Sequence, residues 1–214
     1  MKIISIITCI TSALLFLSCK KDKAPIISST NNSIPTTVGS YWIYDCNNRD
    51  VNGNITAMGV TDTVRIIGDT LIGGHTFITY EGTHYGNGPF RWYHRDSSGY
   101  IIDNNSKIQY TTVNFNDTLL SYIESGTHQL DWVMKPFAGS QTAVPAGSFN
   151  TTDYQGHCRK VDGQPFSGCG NDVYIVHNYY YPNIGLIKAS TIFISQLEAS
   201  CNDMEKVLQS YHIE

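Results

Sequence analysis

Between Tyr41 and Ile123 no window of this chain keeps an apolar period of 3.6 residues, and short runs of aromatic and β-branched residues are cut instead by turn residues. Tyr41-Trp42-Ile43-Tyr44 ends at Asn47-Asn48 and is followed by Asn52-Gly53, a strong hairpin signal. A run from Met58 to Ile67 stops at Gly68; Thr70-Leu71-Ile72 meets Gly73-Gly74, and His75 to Glu81 resumes as a strand. A Gly-rich stretch, Gly82 to Pro89, reads as a loop. In the next run Phe90, Trp92 and His94 face one way and Arg91, Tyr93 and Arg95 the other. Asp96 to Gly99, Asn104-Asn105 and Asn116-Asp117 separate three further runs ending at Ile123. Some eight strands joined by tight turns imply an antiparallel meander.

The second half is less regular at first, with Asp131 to Val133 readable as a short strand or a helical turn. Two turns then stand out. In Val144-Pro145-Ala146-Gly147-Ser148-Phe149 the proline presets φ and the glycine accepts a positive one. Pro182 to Gly185 does the same between Val173–Tyr181 and Leu186–Ile194. The tail holds helix formers, Leu197, Glu198, Met204, Glu205 and Lys206, yet Asn202-Asp203 favours a hairpin with a closing strand from Val207 to Ile213. Together with Gly39-Ser40-Tyr41-Trp42, the two turns resemble exported bacterial domains of unknown function that pair "V-P-A-G-x-F" with a later "Y-x-x-x-I-G-L-I/V-K". The resemblance implies a curved antiparallel sheet like the half-barrel of lipoprotein carriers, and no activity. The expected class is all-β: a curved antiparallel sheet, half-barrel or sandwich, with at most one or two short helices.

The amino terminus has a different character. Lys2, an apolar segment from Ile3 to Leu17 and the small Ser18 describe a secretory signal peptide, too short for a membrane span. Phe16-Leu17-Ser18-Cys19 resembles the lipobox of bacterial lipoproteins, with Phe16 where Leu is commoner. It implies cleavage after residue 18 and acylation of Cys19. Two or three acyl chains, at ~0.8 kcal/mol per buried methylene, anchor a protein nearly permanently. Lys20, not Asp, follows Cys19, so the usual inner-membrane retention signal is absent and the outer membrane of a Gram-negative envelope is favoured. Residues 19–37, polar and carrying Pro25 and Pro35, read as a flexible tether, and residues 38–214 as one β domain.

Charge narrows the partners. From Ala24 onward ten Lys and Arg face seventeen Asp and Glu, so no basic surface is expected to meet nucleic acid. Cys9 leaves with the signal peptide and Cys19 takes lipid, leaving Cys46, Cys158, Cys169 and Cys201. An even number in an exported chain points to disulfides. Of three connectivities, Cys158–Cys169 would close the loop around Val161 to Pro165, and Cys46–Cys201 would tie the first strand to the last. A zinc site using these thiols with His157 or His177 is the competing reading; no C-x-x-C supports it, and no metal or cofactor is expected.

H-E-x-x-H, G-x-S-x-G, phosphate-loop and calcium-loop patterns are all absent from the chain. Asp62-Thr63-Val64, Asp69-Thr70-Leu71 and Asp117-Thr118-Leu119 look like the Asp-Ser/Thr-apolar O-glycosylation sequon of some Gram-negative bacteria, although strand preference explains such threonines equally. Fourteen tyrosines, by contrast, crowd strands that carry aromatic residues on both faces. One face suffices for a core, so a second must meet another element, a ligand or a partner. The candidate ligand-binding residues are Trp42, Tyr44, Arg91, Trp92, Tyr93, Arg95, Tyr179 and Tyr181. The expectation is a non-enzymatic, membrane-anchored lipoprotein binding an amphiphile, a glycan or an envelope protein. The alternatives are a structural lipoprotein without a small ligand and a hydrolase with an unrecognised site.

Overall fold

The computed structural model describes residues 34–124 and 129–214. The first half is a meander: β1 (Tyr41–Arg49), β2 (Ile55–Ile72), β3 (His75–His84), β4 (Asn87–Ser97), β5 (Tyr100–Asp103) and β6 (Ile108–Thr111). The second half supplies β7 (Leu120–Glu124), β8 (Leu130–Phe137), a small hairpin of β9 (Gln141–Val144) and β10 (Gly147–Asn150), then β11 (Thr152–Lys160), β12 (Tyr174–Tyr181) and β13 (Gly185–Thr191). A six-residue helix α1 (Ile194–Ala199) and β14 (Asp203–His212) end the chain. Twelve strands form one antiparallel sheet in the order β6-β5-β4-β3-β2-β1-β14-β13-β12-β11-β8-β7, with β9 and β10 apart. The class is the expected one, an all-β fold with a curved antiparallel sheet and one short helix.

The first and last strands lie at the centre of the sheet, Tyr41 opposite His212 and Arg49 opposite Asp203. Register breaks in β1 and at Ile66/Gly68 of β2 bend the strands where one residue too many faces its partner. The bend brings the β6 edge back against the concave side of β11 and β12. Tyr110 of β6 stacks on Tyr180 of β12 at 4.2 Å between ring centres, and the Tyr154 hydroxyl of β11 donates to the Thr111 carbonyl. The sheet is thereby nearly closed.

The turn around Ala146 packs across this curl. Its N–H donates to the Leu208 carbonyl at 3.1 Å, and Phe149 packs on Tyr181 and Tyr211. Ile184 of the second turn is buried in the same core as Phe149, Ile187 and Leu208. The two turn motifs therefore meet in space, one covering the other. A second core joins Ile101, Tyr110, Leu119 and Tyr154 to Ile34, which is buried ahead of β1.

Several local expectations are corrected. Gly68 does not end a strand: β2 runs through it for 18 residues, the glycine taking up the bulge. The stretch from Gly82 to Pro89 is paired rather than looped, with Gly82 opposite Phe90 and His84 opposite Asn87. A side chain at Gly82 would place Cβ 2.3 Å from the Thr63 carbonyl oxygen, so glycine there serves close strand approach. Asp131 to Val133 belongs to the full strand β8. The closing strand expected from Val207 is present, as β14 from Asp203, but no hairpin precedes it: Ile194–Ala199 is helical because Leu197 fills the small core beside Leu130, Cys158 and Phe166.

The disulfide also differs. Cys169 bonds Cys201 across 32 residues, while Cys46 and Cys158 are buried free thiols. Helix α1 decides this pairing, since the Gly168 N–H donates to the Leu197 carbonyl and the Ser167 N–H to Glu198, seating Cys169 beside the residue that follows the helix. Cys158 points instead into the core beneath that loop, where burial pushes its thiol up to about 12. Cys46 stands opposite Lys206, whereas Cys201 precedes the Arg49–Asp203 rung. Backbone pairing thus joins the first strand to the last without a covalent tie.

Candidate ligand cavity

The concave face of β1 to β4 encloses, with β6, β12 and β14, a cavity of about 670 Å³, within the range of small-molecule sites. Alternation in the strands builds its wall. Trp42 and Tyr44 of β1 are both buried, as is Tyr80 of β3; Phe90, Trp92 and His94 of β4 point inward as their spacing demands. Tyr80 sits at the centre, its ring parallel to Trp92 at 6.0 Å, tilted on Trp42 at 6.2 Å and on His94 at 5.4 Å. Hydrogen bonds fix the rings. The Trp42 Nε1–H donates to the Ile184 carbonyl at 2.8 Å, the Tyr44 hydroxyl to the Leu186 carbonyl at 3.0 Å, and the Tyr80 hydroxyl to the Pro35 carbonyl at 3.3 Å. With their polar atoms spent on backbone carbonyls, these side chains offer the cavity apolar faces.

Polar groups occupy the rest of the lining. Asn104 and Asn105 come from the turn between β5 and β6, and Asp103 and Gln109 from the strand ends that flank it. One Asp103 oxygen accepts the Asn105 and Lys107 N–H groups and the other the Gln109 amide, so this carboxylate is committed to its turn. Burial pushes His94 down to about 4, against the pull of Asp103 opposite it. The imidazole is therefore neutral at pH 7, one nitrogen a donor and the other an acceptor.

Lys206 of β14 enters from the opposite wall. Its side chain is 12% exposed, and its ammonium lies over the Tyr44 ring at 5.3 Å and the Tyr85 ring at 5.9 Å. The nearest carboxylate oxygen, on the fully buried Asp62, is 3.9 Å away, too far for a hydrogen bond. Asp62 is held by others: the Tyr85 N–H at 2.8 Å, the Gly86 N–H at 3.1 Å and the Thr83 hydroxyl at 3.1 Å. Burial opposes the Asp62 charge, but those donors, Gly86 and Tyr85 foremost, and Lys206 win and hold the carboxyl below its usual range. Burial also lowers Lys206, partly offset by Asp62 and Cys46.

Of the residues singled out from sequence, Trp42, Tyr44, Arg91 and Trp92 line this cavity. Arg91 does so while bound to Glu81, which also takes Arg65. Tyr93, Arg95, Tyr179 and Tyr181 lie elsewhere: Arg95 covers the Phe77 ring at 5.5 Å, Tyr179 stacks on His177 at 5.8 Å, and Tyr181 packs on Phe149. Sequence reasoning passed over Tyr80, Tyr110 and Lys206; Tyr180 belongs to the aromatic strand Val173–Tyr181 but is not among the candidates. A period-2 count along β3, β6 and β12 selects the tyrosines' face, but nothing local says that those faces converge. His157, next to Cys158 in β11, stacks on Phe137 at 5.9 Å, and His177 Nδ1 pairs with Asp153 at 2.8 Å. Cys19 lies outside the described residues. Thr63 and Thr118 are exposed and Thr70 is half-buried.

No family model and no curated protein matches this chain. Solved structures do. A presumed exported protein with a YmcC-like fold from Bacteroides fragilis NCTC 9343 superposes with a TM-score of 0.51 at 12% identity, over 85% of this chain and 99% of that one. The chain shares that fold. A presumed lipoprotein from Parabacteroides distasonis ATCC 8503 is similar over 85% of this chain and 98% of its own, at 13% identity and a TM-score of 0.49.

Proposed function

We propose that this chain is a non-enzymatic lipoprotein of a Gram-negative envelope, held by acyl chains on Cys19, whose β domain binds an amphiphile in the aromatic cavity. The cavity carries this reading: about 670 Å³, walled by Trp42, Tyr44, Tyr80, Trp92, Tyr110 and Tyr180, it has the size of a small-molecule site and sets a few polar groups among aromatic faces, as such sites do. The lipobox-like Phe16-Leu17-Ser18-Cys19 supports the anchor, and the presumed export of the Bacteroides fragilis protein with the same fold is in keeping with it. The amides of Asn104, Asn105 and Gln109 at the lining favour, as a second reading, a glycan end stacked on the rings. An envelope protein partner is the third.

Native mass spectrometry separates the three. The anchored chain, purified from membranes in mild detergent, is compared with a secreted Cys19→Ser form. An extra mass on both forms that denaturation releases supports the ligand reading, and its composition separates amphiphile from glycan. Forms without that mass, with a stoichiometric protein retained only by the anchored one, sink the ligand reading in favour of the partner. An unlipidated wild type removes the anchor.

A further inference from the structure

The charged groups that line the cavity are unequally engaged. Asp103 accepts three hydrogen bonds from its own turn, and Arg91 is bound to Glu81. Lys206 makes none: its ammonium faces two rings and stands 3.9 Å from a carboxylate that three other donors already hold. Among the described residues it is the one charge in the lining without a hydrogen-bonded partner. A lysine taken this far out of water keeps its charge at a cost, and that cost falls when an acceptor reaches its three N–H groups. Thr83, also in the lining, donates its hydroxyl to Asp62 and accepts the Thr63 N–H, so it too is engaged.

Given the cavity as a ligand site, we infer that its occupant is an amphiphile with an anionic head, seated with the head on the Lys206 ammonium and the chain among Trp42, Tyr44, Tyr80 and Trp92. A carboxylate or phosphate oxygen supplies the acceptor that the ammonium lacks, and Asp62, 3.9 Å away, favours its charged form. Neutral His94 adds no charge beside the Tyr80 ring, where an alkyl chain would lie. A cationic head finds no counterpart, because both carboxylates near the lining are occupied.

The test compares dodecanoate, dodecanol and dodecyltrimethylammonium, below their micellar concentrations, on the full chain carrying Cys19→Ser, by titration calorimetry and tryptophan fluorescence. Dodecanoate is expected to bind at least about tenfold tighter than dodecanol, as for a hydrogen bond to a charged group, with the cationic probe weakest. Lys206→Met, which keeps the stem over the rings, should bring dodecanoate to the dodecanol level and leave dodecanol unchanged. Lys206→Arg should keep the preference. If dodecanol binds the unaltered domain as tightly as dodecanoate, or if Lys206→Met retains the acid preference, the anionic head is wrong while the cavity stands. If none of the three binds, the cavity reading itself fails. The ranking on the unaltered domain decides the matter even where a Lys206 variant does not fold.

Discussion

Two aromatic surfaces of this molecule look alike as lists of residues and behave differently. The concave wall of β1, β3 and β4 carries Trp42, Tyr44, Tyr80, Trp92 and His94; the convex face of β8, β11 and β12 carries Phe137, His157, His177 and Tyr179. On the convex side the polar groups answer one another. Asp153 accepts from Gln155 and pairs with His177, while Asp131 takes Arg159. On the concave side the ring polar atoms are spent on backbone carbonyls, and Lys206 and His94 turn toward enclosed space. Cavity size, about 670 Å³ against about 260 Å³ at Phe137 and His157, and a buried ammonium without a hydrogen bond, rather than aromatic content, distinguish the candidate binding wall from the convex surface.

That contrast predicts graded effects. Trp42→Ala removes a buried indole from the concave core and should destabilise the fold by about 3–5 kcal/mol, read as a lowered denaturant midpoint; a loss under ~1 kcal/mol would mean the wall is not part of the core. Replacing Cys169 and Cys201 by alanine opens a loop of 32 residues and should cost about 3–4 kcal/mol by loop entropy, read as a lowered denaturant midpoint. Under reducing conditions the same loss should appear in the unaltered protein and vanish in the double variant.

His94 gives a pH signature. Its ring takes up a proton near 6.5 when unfolded but only near 4 when folded, so the unfolded chain binds more protons between those values. The stabilisation is complete above about pH 6.5 and is lost as the pH falls toward 4, by roughly 3 kcal/mol. His94→Phe should flatten that part of the stability profile, measured by urea unfolding at each pH; an unchanged slope would place the titration elsewhere. The smallest effects belong to the convex face. Tyr179→Ala and Phe137→Ala should each shift stability by under about 1 kcal/mol and leave dodecanoate binding untouched. Tighter coupling of either residue to the ligand would erase the distinction between the two surfaces.

Much of this architecture is legible in the chain. The turn pairs Asn52-Gly53, Gly73-Gly74 and Ser98-Gly99 separate hairpins that the structure contains. The alternation of Phe90, Trp92 and His94 marks an inward face that is inward. Where reading failed, a distant contact outweighed a local signal. Gly68 and Gly82 carry the marks of strand ends, yet one absorbs a bulge and the other admits the Thr63 carbonyl. Met204 to Lys206 favour helix, but β14 is pinned between β1 and β13.

Strand alternation and turn chemistry are properties of two to four neighbouring residues, so the all-β class and the hairpin order of β1 to β6 follow from the chain alone. Convergence is not such a property. Trp42, Tyr80, Tyr180 and Lys206 share a wall only because bulges curl twelve strands until the β6 edge reaches β12. Cys169 finds Cys201 only because α1 docks beneath its loop. Closure of the sheet sums small twists over many rungs, and it is the tertiary fold that decides where that sum brings side chains face to face.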